Sequence, residues 1–172
     1  MIKSMRPFRL YLYSQIVRWL PETRFFCLKV KLLRWCGATI GDNVRICSSA
    51  TFLGVGQLVI GDDVWIGPRC FMSPNEHATI QIGAHIDIAP QVMILTATHK
   101  IEPLSEHVGG EEYTQSVTVG DGCWIGAKSI LLPGVVLPKK TIVAAGSVVT
   151  KSIDDERSLL AGVPAKVVKL YK

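Results

Sequence analysis

The sequence is dominated by a six-residue repeat, in which an apolar residue returns at every sixth position. Six of the fifteen opening residues are followed directly by glycine, and the fifth place is mostly small or β-branched. The units open at Ile40, Ile46, Phe52, Ile60, Ile66, Met72, Ile82, Ile88, Ile94, Val119, Ile125, Leu131, Leu137, Val143 and Val149. An amphipathic helix would repeat at about 3.6 residues and an ordinary strand at about 2, so a period of six indicates short strands joined by regular corners.

The repeat predicts a mainly β fold, a left-handed parallel β-helix of about five coils. Three units form one triangular coil of about eighteen residues. The left-handed sense is that of hexapeptide β-helices, against the general preference for right-handed crossovers, and the period alone does not determine it. Glycine after the opening residue suits a corner that needs a positive φ angle or a close approach of two backbones.

A chain of 172 residues can bury one core, so we expect one principal domain with appendages. The β-helix domain is predicted over residues 37–153, with small phase slips and one large interruption, the polar loop 99–118. Because a regular solenoid that ejects twenty residues at one point has usually built a functional loop there, we expect an active-site loop. Residues 154–172 are expected to form a C-terminal tail.

The N-terminal segment, residues 1–36, carries eight basic side chains and one acidic side chain. Two short helices are predicted, over Phe8–Leu20 and Thr23–Trp35, with a break at Pro21. They can cap the open end of the β-helix, attach the protein peripherally to anionic lipid, or do both. Since the whole chain has a net charge of +5, the remaining residues sum to −2, and no nucleic-acid partner is predicted.

Cysteine usage and hydropathy indicate the cellular compartment of the protein. The five cysteines form no even framework and no CxxC pair, and Cys47, Cys70 and Cys123 fit buried positions of the repeat. The apolar runs are far shorter than a membrane span, and the N-terminus lacks the apolar segment of a signal peptide. We therefore expect a cytoplasmic protein, with no resident metal.

Apolar residues also occupy the places just before the opening residues, which must face outward because strand side chains alternate. These places hold Trp65, Phe71, Met93, Trp124, Ile130, Val136, Ile142 and Val148. That is too much apolar surface to leave in water. A prism with one apolar face packs readily around a threefold axis, so the pattern predicts a homotrimer.

His99 is the candidate catalytic residue. It closes the unit ILTATH in an outward place, at the base of the ejected loop. A neutral imidazole there can take a proton from a hydroxyl or an amine if a carbonyl or carboxylate holds its other nitrogen. Glu111 and Glu112 could supply that carboxylate, or could simply solvate the loop. Of the other histidines, His77 could line an acceptor pocket near a phase slip.

The segments ILTATHKIEP, VGDGCWIGAKSILLPGVVLP, IVAAGSVVTKSI and LLAGVPAKVVK resemble hexapeptide-repeat acetyltransferases. The similar groups are the maltose and galactoside O-acetyltransferases and the acetyltransferases of exopolysaccharide synthesis, such as colanic acid. The resemblance covers residues 37–172. It implies direct transfer of an acetyl group from acetyl-CoA to a sugar or glycan hydroxyl, in a ternary complex at the interface of a homotrimer.

The resemblance also implies roles for individual residues. His99 would be the catalytic base, the loop residue Glu111 would be a second catalytic residue, and Tyr113 would bind the substrate. The coenzyme contacts would be Trp124, Ala127, Ala145, Thr150, Lys151 and Lys166. Lys169 would join the lysines that suit the nucleotide phosphates of CoA. Trp124 equally suits trimer packing, and a solvated basic end of the solenoid is the alternative for the lysines, for which coenzyme binding is the preferred interpretation.

The pattern departs from the maltose and galactoside enzymes where they bind their acceptor. Their asparagine and aspartate contacts fall near Arg69 and His77, and their N-terminal acidic residue has no counterpart in residues 1–36. The departure points to an unassigned sugar or glycan intermediate.

Three other functions remain open from the sequence. The same fold and coenzyme could acetylate an amine of an amino sugar or an antibiotic. A γ-carbonic anhydrase shares the trimeric β-helix but needs three zinc histidines, a pattern that the four histidines do not present. A structural trimer without activity is the non-enzymatic alternative.

Overall fold

The chain folds into a parallel β-helix of about five coils, closed at one end by two short helices. The computed structural model describes residues 4–172, so Lys3 of the predicted basic segment lies outside the described residues. Each coil runs in turn across three sheets, which we call faces 1, 2 and 3. We name the three corners of the prism after the faces that they join: edge 1–2, edge 2–3 and edge 3–1.

Each face is a ladder of short parallel strands. Face 1 contains β1 (Thr39–Ile40), β4 (Gln57–Ile60), β7 (Thr79–Ile82), β12 (Val117–Val119) and β15 (Val136–Leu137). Face 2 contains β2 (Arg45–Ile46), β5 (Trp65–Ile66), β8 (Asp87–Ile88), β13 (Trp124–Ile125), β16 (Ile142–Val143), β18 (Ser158–Gly162) and β19 (Ala165–Leu170). Face 3 contains β3 (Thr51–Phe52), β6 (Phe71–Ser73), β9 (Met93–Leu95), β14 (Ile130–Leu131) and β17 (Val148–Val149).

The predicted phase of the repeat is confirmed at every unit. All fifteen opening residues are buried in one continuous apolar core. The residues just before them lie on the outer surface, as Asp87 and Ile88 of β8 illustrate with an exposed and a buried side chain. Because successive side chains of a strand point to opposite sides, a two-residue strand is long enough to define inside and outside.

The glycines of the repeat are required by close packing between coils rather than by their φ angles. A Cβ atom on Gly126 would lie 2.6 Å from the backbone nitrogen of Ala145 in the next coil, which is far inside contact distance. The φ angle of Gly126 is not positive; positive φ angles occur two residues later in such corners, for example at Lys128. Of the two reasons that the sequence left open, the close approach of two backbones is therefore the one that applies.

The two helices cover the first coil. Helix α1 (Pro7–Val17) and helix α2 (Phe26–Trp35) bury Leu10, Tyr13 and Leu33 in the same core as the coil residues. Both are shorter than predicted, because the chain turns over residues 18–25 around Pro21, which has no N–H to donate. No helix within residues 4–172 is long and apolar enough to cross a membrane.

A buried lysine fastens the helices to the solenoid. The side chain of Lys29 is fully buried, and its Nζ donates to the carbonyl oxygens of Pro21 at 3.0 Å, Glu22 at 2.7 Å and Ile46 at 3.2 Å. Burial lowers the pKa of this ammonium group. Three carbonyls satisfy its three donors, so the interhelical turn, α2 and the first coil are held together at one point.

Two segments carry strands that the repeat did not predict. Residues 154–172, expected as a tail, contain β18 and β19, where β18 extends face 2 in parallel with β16 and β19 pairs antiparallel to β18. The last coil would otherwise leave an unpaired strand edge, and Leu160 of β18 is buried over its core. The ejected loop contains an antiparallel hairpin of β10 (Ala97–Ile101) and β11 (Gly109–Thr114).

Candidate active site

His99 lies on the hairpin that leaves the solenoid at edge 3–1. Its strand β10 follows β9 after a single residue, Thr96, and pairs with β11 so that His99 stands opposite Glu112 and Thr98 opposite Tyr113. The ring is exposed, on a shallow surface formed with Thr98, Lys100, Ile101 and Tyr113. The hairpin therefore presents the imidazole to solvent at the side of the prism.

A buried hydroxyl fixes the base of the hairpin. The Thr96 Oγ1 donates to the carbonyl oxygen of Ser73 at 2.9 Å and accepts from the N–H of Asn75 at 2.7 Å. The carbonyl oxygen of Thr96 accepts from the N–H of Gln115 at 2.8 Å, which closes the hairpin. The strand that carries His99 is thus anchored to the preceding coil by hydrogen bonds in a water-excluded position.

The hydrogen bond of His99 determines its tautomer. The Nδ1 atom lies 2.8 Å from the carbonyl oxygen of Gly110, across the hairpin. A carbonyl oxygen can only accept, so Nδ1 carries the proton and the neutral ring keeps a free lone pair on Nε2. This is the form of imidazole that can act as a general base.

Glu111, expected beside His99, instead pairs with Lys100. The Glu111 Oε2 accepts a short hydrogen bond from the Lys100 Nζ. This contact holds the pKa of Glu111 below its usual range and raises the pKa of Lys100. The Gly110 carbonyl, rather than a carboxylate of the loop, is the group that orients the imidazole.

Several other candidate residues share edge 3–1 with His99. His77 is exposed in the turn between β6 and β7, and its Nε2 lies 3.8 Å from the Oε1 of Glu76. The Thr114 Oγ1 donates to the carbonyl oxygen of Glu76 at 3.0 Å, so the hairpin touches this turn. Thr150 and Lys151 are exposed where β17 ends, on the same edge two coils further along.

The remaining candidates lie on the other side of face 3. Ala127 and Ala145 occupy successive corners of edge 2–3, where the N–H of Gly146 donates to the carbonyl oxygen of Ala127 at 2.8 Å. Arg69 lies on the same edge in an earlier coil, so the structure does not bring it to His77. Trp124 lies on face 2 in β13, and Lys166 and Lys169 lie in β19, the terminal strand of the same face. All three side chains are exposed.

One chain therefore divides the candidate residues between two edges. The imidazole stands on edge 3–1, whereas Trp124, Ala127 and Ala145 stand on face 2 and edge 2–3. The outer surface of face 3 separates them. From its second strand onward it carries an apolar ladder, in which the outward residues are Phe71, Met93, Ile130 and Val148, whereas the first strand presents Thr51.

Sequence reasoning missed two functional groups of this site. The Gly110 carbonyl could not be identified, because a main-chain oxygen leaves no residue signature and the Gly109–Gly110 pair signals only a turn. Lys100 was passed over although it follows His99 directly. Among residues 4–172, no group of three histidine, cysteine, aspartate or glutamate side chains is placed to hold a metal ion.

Comparison with known proteins gives a consistent set of relatives. Residues 116–151 match a family model described as the hexapeptide repeat of succinyl-transferase. The putative colanic acid biosynthesis acetyltransferase WcaF of Escherichia coli K12 is 31% identical over 159 residues, which cover 91% of this chain and 81% of that protein. A galactoside O-acetyltransferase of Lactococcus lactis is 41% identical over 74% of this chain and 60% of its own length.

The solved structures agree with the fold. A mutant of the N-acyltransferase AntD from Bacillus cereus, in complex with dTDP and coenzyme A, has a TM-score of 0.65 and 25% identity, with 78% of this chain and 74% of that chain covered. The chain spans only 57% to 66% of the length of three of the curated relatives that it matches.

Proposed function

The chain belongs to the hexapeptide-repeat acetyltransferase family, and from this premise we propose that it transfers an acetyl group from acetyl-CoA to a hydroxyl of a sugar or glycan. The observation that carries the proposal is the hydrogen bond from His99 Nδ1 to the Gly110 carbonyl, which leaves Nε2 free to accept a proton. The galactoside and colanic acid relatives support a sugar or glycan as the acceptor.

The proposed reaction is a direct transfer without an acyl-enzyme. The acceptor oxygen forms a bond to the thioester carbon while Nε2 of His99 takes the hydroxyl proton. The carbon–sulfur bond then breaks, and the imidazolium returns its proton to the departing thiolate, so CoA leaves as a thiol. A backbone N–H near Ala127 stabilises the oxyanion in this scheme.

Acetyl-CoA is proposed to lie along edge 2–3. The corners at the half-buried Ala127 and the exposed Ala145 present backbone to a pantetheine chain, with Trp124 beside them. Lys166 and Lys169 of the same chain are assigned to the nucleotide phosphates, while Thr150 and Lys151, which lie on edge 3–1, would reach the coenzyme from the neighbouring copy. The AntD structure, which contains coenzyme A, supports a coenzyme site on this fold.

The separation of the two edges supports a site shared between two copies. We propose that face 3 of each chain packs around a threefold axis and buries its apolar ladder of Phe71, Met93, Ile130 and Val148. In that arrangement edge 3–1 of one copy faces edge 2–3 of its neighbour. The imidazole of one copy then meets the coenzyme bound against the next.

The acceptor contacts follow from the same arrangement. His77 and Tyr113 lie near His99 on edge 3–1, while Arg69 would approach from edge 2–3 of the neighbouring copy. We propose that these three side chains bind hydroxyls of the sugar.

The test is release of CoA thiol in the presence of acceptor sugars. The substitution His99→Ala is expected to lower kcat about 10²- to 10⁴-fold, the usual contribution of a general base. Binding of CoA, measured by calorimetry, should remain. His107→Ala is the matched control, because His107 is an exposed histidine in the turn of the same hairpin. Equal loss in both variants, or none in His99→Ala, would refute the assignment.

Transfer to an amine is the second candidate, and the similarity to the N-acyltransferase AntD favours it. An amine that arrives protonated also needs a base, so the geometry of His99 suits both acceptors. A matched panel of hydroxyl sugars and their amino analogues separates the two, since the preferred member of each pair identifies the acceptor atom.

A further inference from the structure

Helix α1 has a second apolar face that the fold does not use. Its inner face buries Leu10, Tyr13 and Val17. The residues on the opposite side recur three and four positions apart, which places them in one stripe along the helix. They are Phe8, the half-buried Leu12 and Ile16, followed by Trp19 in the turn just after the helix; Phe8 is 72%, Ile16 45% and Trp19 87% exposed. A helix that is apolar on both sides needs a partner on each side.

Helix α2 continues this surface. Its inner face contacts the first coil through Lys29, Val30 and Leu33, and its outer side exposes Leu28 and Trp35. Arg9 joins the two helices, because its Nη1 donates to the carbonyl oxygen of Trp35 at 2.7 Å and its guanidinium lies 4.7 Å from the centre of that ring. We call the exposed side of both helices, within residues 6–35, the cap surface.

The cap surface is positively charged. Arg6, Arg18, Arg24 and Lys31 are exposed among its apolar side chains. The acidic residue of this region, Glu22, accepts a hydrogen bond from the N–H of Ser49 and faces the solenoid. The surface thus combines exposed tryptophan and phenylalanine with an excess of basic groups.

We propose that the cap surface docks on an anionic lipid bilayer. Aromatic rings favour the boundary between headgroups and acyl chains, and nearby basic side chains are attracted to anionic headgroups. A second copy of the chain is a poorer occupant, since two identical cap surfaces would oppose like charges. The proposal goes beyond the acetyl transfer proposed above and does not depend on it.

The cap is attached firmly enough for docking to orient the whole molecule. The hydrogen bond from Lys29 to the Ile46 carbonyl ties α2 to the first coil, and the N–H of Met5 donates to the carbonyl oxygen of Gly56 at 2.9 Å just before α1. A bilayer bound at the cap surface therefore lies at the end of the solenoid that begins with the first coil. The hairpin with His99 follows the third coil. That coil lies two strand spacings from the first coil, about 10 Å along the axis of the solenoid.

The experiment is cosedimentation of the full chain with vesicles. Binding is expected to vesicles of phosphatidylcholine mixed with phosphatidylglycerol, to weaken with added salt, and to be absent with phosphatidylcholine alone. The double substitution Arg18→Gln/Arg24→Gln should lower the partition coefficient about 25-fold, about fivefold for each basic group removed. Lys172→Gln, at the far end of the solenoid, should change it little.

The apolar contribution is tested separately. Phe8→Ser/Trp19→Ser should abolish binding to the mixed vesicles, whereas Leu104→Ser, on the fully exposed hairpin turn, should retain it. Circular dichroism and thermal unfolding confirm that each variant is folded. No binding by the parent protein, or equal binding by the cap and control variants, overturns the proposal. Self-association that depends on Trp19 without vesicle binding would assign the surface to a second copy. Thiol release with a dissolved acceptor needs no vesicles, so it tests the transferase activity independently.

Discussion

At the scale of single residues, substitutions of Glu111 and Lys100 test whether the Glu111 carboxylate acts on the reacting groups or only supports the hairpin. Their ion pair lies on the exposed hairpin, and the imidazole is held by the Gly110 carbonyl instead. Removing the pair by Glu111→Gln should lower kcat/KM by at most about fivefold, because exposed ion pairs are weak. Lys100→Met removes the same pair and should give the same loss.

Steady-state kinetics of the two variants decides the role. A loss of about 10²-fold or more in Glu111→Gln, with Lys100→Met unaffected, would place the carboxylate on the reacting groups. The pH dependence has a definite sign. Lys100 lowers the pKa of Glu111 in the folded protein. The ion pair therefore stabilises the folded protein at pH values above the ordinary pKa of glutamate, and this stabilisation is lost as the pH falls through the lowered pKa.

At the scale of elements, Lys29 decides how strongly the helices are attached. Lys29→Met keeps the length of the side chain but leaves the carbonyl oxygens of Glu22 and Ile46 without their side-chain donor, while the Pro21 carbonyl keeps its bond from the Ser48 hydroxyl. Unsatisfied buried acceptors are expensive, so the free energy of unfolding should fall by about 2 to 4 kcal/mol. Lys31→Met, an exposed lysine on the same helix, should stay within about 0.5 kcal/mol.

Denaturant titration at fixed protein concentration measures both variants. If Lys29→Met were as stable as Lys31→Met, water would be replacing the lost donor, and the attachment would rest on the apolar core contacts and on the remaining hydrogen bonds, such as that from Arg34 to the Ile40 carbonyl.

The elements differ in how far the sequence predicts them. The inward residue of each coil strand was predicted correctly, because the inward place of each unit is determined by a local apolar period that every coil repeats. The strands of the loop and of the C-terminal segment were not, since their register depends on distant contacts such as Thr96 with Ser73 and β18 with β16. At the site, His99 was predicted from its outward place, whereas its Gly110 partner depends on hairpin register.

At the scale of the whole molecule, face 3 should control assembly. Met93→Glu would place a charge in the middle of the apolar ladder, between Phe71 and Ile130. If three copies meet through this face, the buried charge should shift the protein from trimer to monomer and remove activity with it. Gln81→Glu on the outer surface of face 1 is the control. Sedimentation velocity gives the mass of each variant, and an unchanged trimer with Met93→Glu would exclude face 3 as the interface.

The shared site itself is tested by mixing two inactive chains. His99→Ala removes the proposed base on edge 3–1, and Ala145→Trp fills the proposed coenzyme corner on edge 2–3, so each homotrimer should be inactive. In mixed trimers an intact His99 from one chain meets an intact corner from the other, at about a quarter of the interfaces when the chains are equal and mix randomly. Co-expression should therefore restore about a quarter of parental thiol release, whereas His99→Ala with His99→Gln should restore none. If the mixture stays inactive although mass spectrometry finds mixed trimers, the base and the coenzyme corner do not act across the interface between copies.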